Sequence, residues 1–189
     1  MCPFRVGFVL TCFYTRYSFV SIPNLIALFH HRWSAPVLAE LLRQKGSRFA
    51  ALSGTLGVGS DSLRRALDSL LALGLVARNP GYGHPLRPEY VLTAEGEPIA
   101  ERCAKLLTAS GNDVLLRKWS LPVLAALGEP ARFSELRVSV PGVTPRALAL
   151  ALKDLQAAEL VERRIEDAYP PRTLYSPTPQ GRRLQRIMA

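Results

Sequence analysis

A seven-residue segment occurs twice in this chain, first as Trp33-Ser34-Ala35-Pro36-Val37-Leu38-Ala39 and again, at numbers higher by 86, as Trp119-Ser120-Leu121-Pro122-Val123-Leu124-Ala125. The correspondence continues downstream. Arg48-Phe49 answers Arg132-Phe133 at an offset of 84, and Leu63, Leu67, Leu70, Leu75 and Val76 answer Leu148, Leu152, Leu155, Leu160 and Val161 at 85. Pro85, Arg87, Tyr90, Thr93 and Gly96 keep that offset of 85 to Pro170, Arg172, Tyr175, Thr178 and Gly181. A unit of about 80 residues is therefore present twice, with small insertions absorbed in turns. Two copies are too few for a solenoid, in which stacked repeats bury one another's faces. Two small domains are expected instead, over 25–109 and 110–189, with the polar stretch Thr108-Ala109-Ser110-Gly111-Asn112 as the linker.

Each copy predicts the same order of elements. Ser34 or Ser120 is expected to cap a first helix whose opening turn tolerates Pro36 or Pro122, and Val37, Leu38, Leu41 and Leu42 recur at helical spacing. A short second helix begins near Phe49 or Phe133 and stops at Gly57-Val58-Gly59 or Pro141-Gly142-Val143. The third helix follows at once. Thr144 is a good N-cap with Pro145 at the first helical position, and Leu148, Leu152 and Leu155 fall at i, i+4 and i+7 on one face, as do Leu63, Leu67 and Leu70. Strand-like flanks around a Pro/Gly-rich middle then make a hairpin, ending in Arg87-Pro88-Glu89-Tyr90-Val91-Leu92 and Arg172-Thr173-Leu174-Tyr175-Ser176. Closing helices follow Thr93-Ala94-Glu95-Gly96 and Thr178-Pro179-Gln180-Gly181, the first expected to run to about Leu107. The fold class is thus mainly α with small β wings, arranged as two tandem winged helix-turn-helix domains.

The second copy resembles the HxlR-type winged helix transcriptional regulators. The residues that carry the resemblance are Lys118-Trp119-Ser120-Leu121-Pro122-Val123-Leu124, Arg132-Phe133-Ser134-Glu135-Leu136, Pro141-Gly142-Val143-Thr144-Pro145-Arg146, Leu160-Val161-Glu162-Arg163 and Pro170-Pro171-Arg172 with Tyr175 and Gly181. They span nearly the whole copy, and the first copy is a looser version. The resemblance implies double-stranded DNA as the partner and a repressor as the expected sense of action. Members of that family ordinarily carry one such domain and act as homodimers. Two copies in one chain suggest a pseudo-dimeric monomer, and a homodimer of such chains is the other possibility.

In a helix-turn-helix the third helix enters the major groove, and the wing reaches phosphates or the minor groove. In the first copy the outward positions are Ser60, Asp61, Ser62, Arg64 and Arg65; a solvated face is the competing account of the same residues. In the second copy the candidates are Thr144, Arg146 and Lys153. Between them stand Ala149, Leu150 and Ala151, where the family usually has polar side chains, a departure that weakens direct base readout. Small apolar groups can still touch thymine methyls, or Leu150 marks a protein contact. On the wings, Arg87 and Arg172 match after Pro85 and Pro170, and Arg78 and Arg163 match at strand starts, with Arg164 beside the latter. Backbone or minor-groove contacts are expected there. Alternatively Arg87 and Arg172 fix the wing bases through ion pairs with Glu89 or Glu166.

Charge agrees with an acidic partner. Lys and Arg total 24 against 15 Asp and Glu, a formal net charge of +9. Residues 1–24 stand apart as an N-terminal extension: they contain no Asp, Glu or Ala yet are rich in Phe and Tyr. A signal peptide or membrane span fits them poorly, because Arg16 and Pro23 interrupt the apolar run and no small-residue cleavage site follows. A disordered extension or an interface arm is expected, and no membrane association. Cys2, Cys12 and Cys103 are too scattered for a disulfide framework or a zinc cluster, and His30 and His31 point to different faces of a helix, so no metal is expected. The resemblance leaves electrophile sensing by one of these cysteines open. There is no Gly-rich phosphate loop, HExxH or nucleophile elbow, hence no catalytic residue, enzyme activity or cofactor is expected. Taken together, a cytoplasmic, nucleoid-associated regulator is expected. The competing class is a tandem winged helix scaffold that binds protein and is associated with DNA or chromosome; the Ala149-Leu150-Ala151 face and the aromatic N-terminal arm favour it.

Overall fold

A computed structural model describes residues 21–79, 89–167, 169 and 171–189. The first copy comprises α1 (Ile22–Leu28), α2 (Ser34–Gln44), β1 (Ser47–Arg48), α3 (Phe49–Leu56), α4 (Ser60–Ala72), β2 (Val76–Asn79), β3 (Glu89–Leu92) and α5 (Gly96–Ser110). After a 3-10 turn at Val114–Leu116, the second copy continues with α6 (Ser120–Ala126), α7 (Phe133–Ser139), α8 (Pro145–Ala157), β4 (Val161–Glu166), β5 (Arg172–Pro177) and α9 (Pro179–Met188).

Leucine spacing on the two third helices does what its periodicity requires. Leu63, Leu67 and Leu70 in α4, and Leu148, Leu152 and Leu155 in α8, are all buried. The two sheets also correspond. In the first, β1 pairs with β3 and β3 with β2, all antiparallel, placing Ser47 opposite Tyr90 and Arg78 opposite Tyr90 on the other side. In the second, β4 pairs with β5 with Arg163 opposite Tyr175, and a lone bridge from Ala131 to Tyr175 takes the place of β1.

The closing turn of each copy shows why both Thr and Gly are duplicated. Thr93 Oγ1 donates to the Gly74 carbonyl at 2.7 Å, and Thr178 Oγ1 to the Glu159 carbonyl at 2.8 Å. Each hydroxyl also accepts from the backbone N–H of the glycine three residues on, at 3.0 and 3.1 Å. Each of those glycines lies flat on a leucine carbonyl of its own copy: a Cβ on Gly96 would stand 1.9 Å from the Leu75 oxygen, and one on Gly181 would stand 2.2 Å from that of Leu160.

Helices α4 and α8 end alike, with Leu75 N–H donating to Leu70 and Leu160 N–H to Leu155, the wide bond of a Schellman-type end. The left-handed residue is Gly74 in one copy (φ 69°) and Glu159 in the other (φ 57°). A side chain in that conformation costs about 1–2 kcal/mol, part of which glycine gives back as unfolded-state entropy. Glu159→Gly is therefore expected to raise stability by about 0.5–1 kcal/mol, seen as a higher urea midpoint at unchanged slope.

Three local expectations are corrected. Ser34 and Ser120 do not cap their helices: Trp33 and Trp119 hold the cap positions in helical rather than extended backbone, and neither makes a side-chain cap bond. Both serines are instead buried at the first helical position, their hydroxyls without a hydrogen-bond partner. The expected linker is not a linker at its start. Helix α5 runs past Leu107 to Ser110 and ends where Gly111 turns left-handed at φ 62°. At the other boundary, Ile22 to Asn24 of the expected extension form the first turn of α1, with Ser21 Oγ accepting from Asn24 N–H at 3.5 Å. The rest of that extension lies outside the described residues.

The copies do not fold as beads on a string. Helix α1 packs on α6 of the second copy as well as on α4, and α5 packs on both α2 and α9. Arg102 Nη1 donates to the Met188 carbonyl across the α5–α9 contact at 3.3 Å, and the buried leucines of both copies form one continuous core.

Candidate nucleic-acid interface

The turn before α4 is built by Gly57, left-handed at φ 60°, and by Ser53, whose hydroxyl donates to the Val58 carbonyl at 2.8 Å. With Val58 buried, α4 starts from an extended Gly59 and turns its polar face outward. Ser60, Asp61, Ser62, Arg64 and Arg65 are all exposed, on the side opposite Leu63, Ala66, Leu67 and Leu70. The second copy reaches the same geometry by other residues. The Arg132 N–H donates to Glu135 at 2.7 Å at the start of α7, and Thr144 Oγ1 accepts from the Ala147 N–H at 3.2 Å at the start of α8, with Pro145 at the first helical position. Thr144, Arg146, Ala149, Leu150 and Lys153 are exposed on α8.

One member of the expected apolar face is elsewhere. Ala151 is 4% exposed and belongs with Leu148, Leu152 and Leu155, because i+3 and i+4 positions share a helix face. Leu150 remains 57% exposed. Position for position, at the offset of 85, the two outward faces differ in charge: Asp61, Arg64, Arg65 and Asp68 in α4 become Arg146, Ala149, Leu150 and Lys153 in α8. The first face sums to zero and the second to +2.

On the wings, Arg78, Arg163, Arg164 and Arg172 are exposed. Arg78 already has partners: Asp68 of α4 at 3.7 Å and the Tyr90 ring 6.0 Å from its guanidinium carbon. Arg172 stands opposite Glu166 in the β4–β5 register. Arg87 lies outside the described residues. His30 and His31, expected on different faces of a helix, lie instead in the turn after α1 with their imidazoles edge-on at 4.8 Å, and the Lys118 ammonium sits 4.9 Å from the centroid of Trp119.

Among the described residues, no group of three or more His, Cys, Asp or Glu side chains is placed to hold a metal ion, and no helix is long and apolar enough to cross a membrane. Cys103 is fully buried in α5, and burial pushes its thiol up to about 12. It holds no thiolate for electrophile chemistry at neutral pH. Ellman's reagent at pH 8 is expected to leave Cys103 unmodified in the folded chain and to modify it on unfolding; fast labelling in the folded chain would contradict its burial. Cys2 and Cys12 lie outside the described residues.

The chain matches the model of the HxlR-like helix-turn-helix family twice, over residues 28–112 and 114–189. Among individual proteins, it is 36% identical to an uncharacterized HTH-type transcriptional regulator YkvN of Bacillus subtilis over 78 residues, 41% of this chain and 66% of that protein. It is 30% identical to the HTH-type transcriptional regulator YodB of Bacillus subtilis over 86 residues, 45% of this chain and 75% of that one. The solved structure of reduced YodB aligns with 48% of this chain and 81% of its own, at 28% identity and a TM-score of 0.37. The chain thus spans just under two thirds of YkvN and three quarters of YodB, while less than half of it is used in either match. With both copies of its duplicated unit matched by the family model, the chain belongs to the HxlR-like helix-turn-helix family.

Proposed function

We propose that this chain is a DNA-binding transcriptional regulator, acting as a repressor, in which one polypeptide supplies two reading heads as a pseudo-dimeric monomer. The observation that carries this reading is the pair of solvent-facing third helices, α4 and α8, each set on a buried leucine stripe beside a β-hairpin that carries exposed arginine. Arg64 of α4 reads a base edge, since guanidinium pairs bidentately with guanine. Arg146 and Lys153 of α8 approach the second half of the site, with Thr144 at its helix start and Ala149 and Leu150 against thymine methyls. Arg163, Arg164 and Arg172, and with them Arg78 and Arg87 of the first wing, contact backbone or minor groove. Such a protein works at the nucleoid in the cytoplasm, and its action involves no catalytic step.

Selection of the full chain against random duplex DNA at physiological salt is expected to enrich one site with two unequal halves, about one helical turn apart. Enrichment of a perfect palindrome would point to a homodimer of chains, and no enrichment would remove the reading. A protein-binding scaffold is favoured by one feature, the apolar exposure of Val138 (80%) and Leu150 in the second copy. A specific partner retained after nuclease treatment, without any enriched duplex, would put that reading first.

A further inference from the structure

We propose that Asp68 withholds the first wing from the DNA backbone: its carboxylate holds Arg78, a phosphate engages that guanidinium only by displacing the carboxylate, and general backbone affinity falls to the second copy. The proposal deepens the DNA-binding function above and rests on it.

Asp68 stands on the exposed face of α4, and its Oδ1 lies 3.7 Å from Nη2 of Arg78 on β2. Both side chains are more than half exposed. The same guanidinium lies over the ring of Tyr90, the partner of Arg78 in the β2–β3 register. Arg64 and Arg65 precede Asp68 by about one turn of α4, yet among the described residues its one ion pair is with Arg78. An exposed pair of this kind adds little to stability. Its effect is to occupy a cation that the wing would otherwise offer to a phosphate.

The duplication supplies an internal comparison. At the offset of 85, Lys153 answers Asp68, Arg163 answers Arg78 and Tyr175 answers Tyr90. Arginine and tyrosine are cross-strand partners on both wings, so only the helix residue has changed sign. Helix α8 packs on β4 as α4 packs on β2. One turn either side of Lys153 stand Ala149, Leu150, Gln156 and Ala157, none of them charged, and the adjacent Asp154 is paired with Arg117. Among the described residues, neither Lys153 nor Arg163 has a carboxylate within ion-pair distance. The junction of helix and wing is thus neutral in the first copy and doubly positive in the second.

A cation gains affinity for duplex through the counter-ions released when it meets a phosphate. Lys153 and Arg163 meet the backbone without a partner to give up. Arg78 makes its backbone contact by exchange: the guanidinium leaves one anion for another, and Asp68 is left beside a phosphate that repels it. The first copy therefore gains little from backbone and depends on the base contact of Arg64, while the second anchors the chain on duplex of any sequence.

The test is a double-mutant cycle on the full chain, read as affinity for the selected duplex and for an unrelated one across a range of salt. Asp68→Asn is expected to tighten both roughly 3- to 10-fold at about 0.1 M salt and to steepen the salt slope by about one, as one more phosphate contact does. Arg78→Gln alone should change that slope by much less, and added to Asp68→Asn it should abolish the gain. Lys153→Asp, which rebuilds the first copy's pair in the second, should lower the slope by about two. If the wild-type chain binds duplex and Asp68→Asn leaves affinity and slope unchanged, the DNA-binding function stands and the proposal is overturned. A gain that survives Arg78→Gln also overturns it, by assigning the effect to the charge of α4 as a whole. If neither the wild-type chain nor any variant binds duplex, the DNA-binding function fails and the proposal falls with it.

Discussion

Gly96→Ala is expected to destabilise the chain by about 3 kcal/mol or more, the largest effect of any single methyl group added to it. The new Cβ would stand 1.9 Å from the Leu75 carbonyl oxygen and 2.8 Å from its carbon, both backbone atoms that cannot rotate aside. That oxygen also accepts the Thr93 N–H at 3.1 Å, so moving Leu75 away breaks the bond that ties the turn between β3 and α5 to the residue ahead of β2. Since α5 packs on both α2 and α9, the damage reaches both copies. Gly181→Ala, at 2.2 Å from Leu160, should behave the same way at the other closing turn. Gly54→Ala is the control: it lies in α3 with no atom within 4 Å, and alanine there should stabilise by about 0.5–1 kcal/mol. Urea unfolding of the three variants decides the matter, and an unchanged midpoint for Gly96→Ala would show that the close approach to Leu75 is not real.

Arg64→Ala is expected to cost about 10- to 100-fold in discrimination at one base pair of the selected site, the size of a bidentate guanine contact, while leaving binding to unrelated duplex nearly unchanged. Arg163→Ala on the second wing should do the reverse, weakening all duplexes alike and lowering the salt slope by about one. Competition between the selected site and its single-base variants at two salt concentrations separates the two. A uniform loss for Arg64→Ala would reassign that side chain to the backbone.

The duplicated leucines made much of this legible before any coordinates. Leu63, Leu67 and Leu70 have the same spacing as Leu148, Leu152 and Leu155, and a spacing that recurs twice in one chain is poor evidence for anything except a buried helical face. Thr144-Pro145 announced the start of α8 for a local reason, since cap and first-turn preferences depend on neighbouring atoms alone. The errors arose where tertiary packing overrides local preference. Ser34 and Ser120 look like caps, but the turns ahead of them are already helical and the hydroxyls are buried. Thr108 to Ser110 look like a linker, yet α5 continues through them until Gly111. Ala151 was grouped with its neighbours in sequence, although Leu148 three residues earlier places it inward.

Covalent joining of the two units also changes how they can diversify. In a symmetric pair of identical chains a codon change is expressed twice, so a residue suited to one half of a target is imposed on the other. Here Arg65 and Leu150 stand at the same place in two copies, encoded separately, as do Asp61 and Arg146. Each half can mutate without its counterpart, while the shared core holds both to one scaffold.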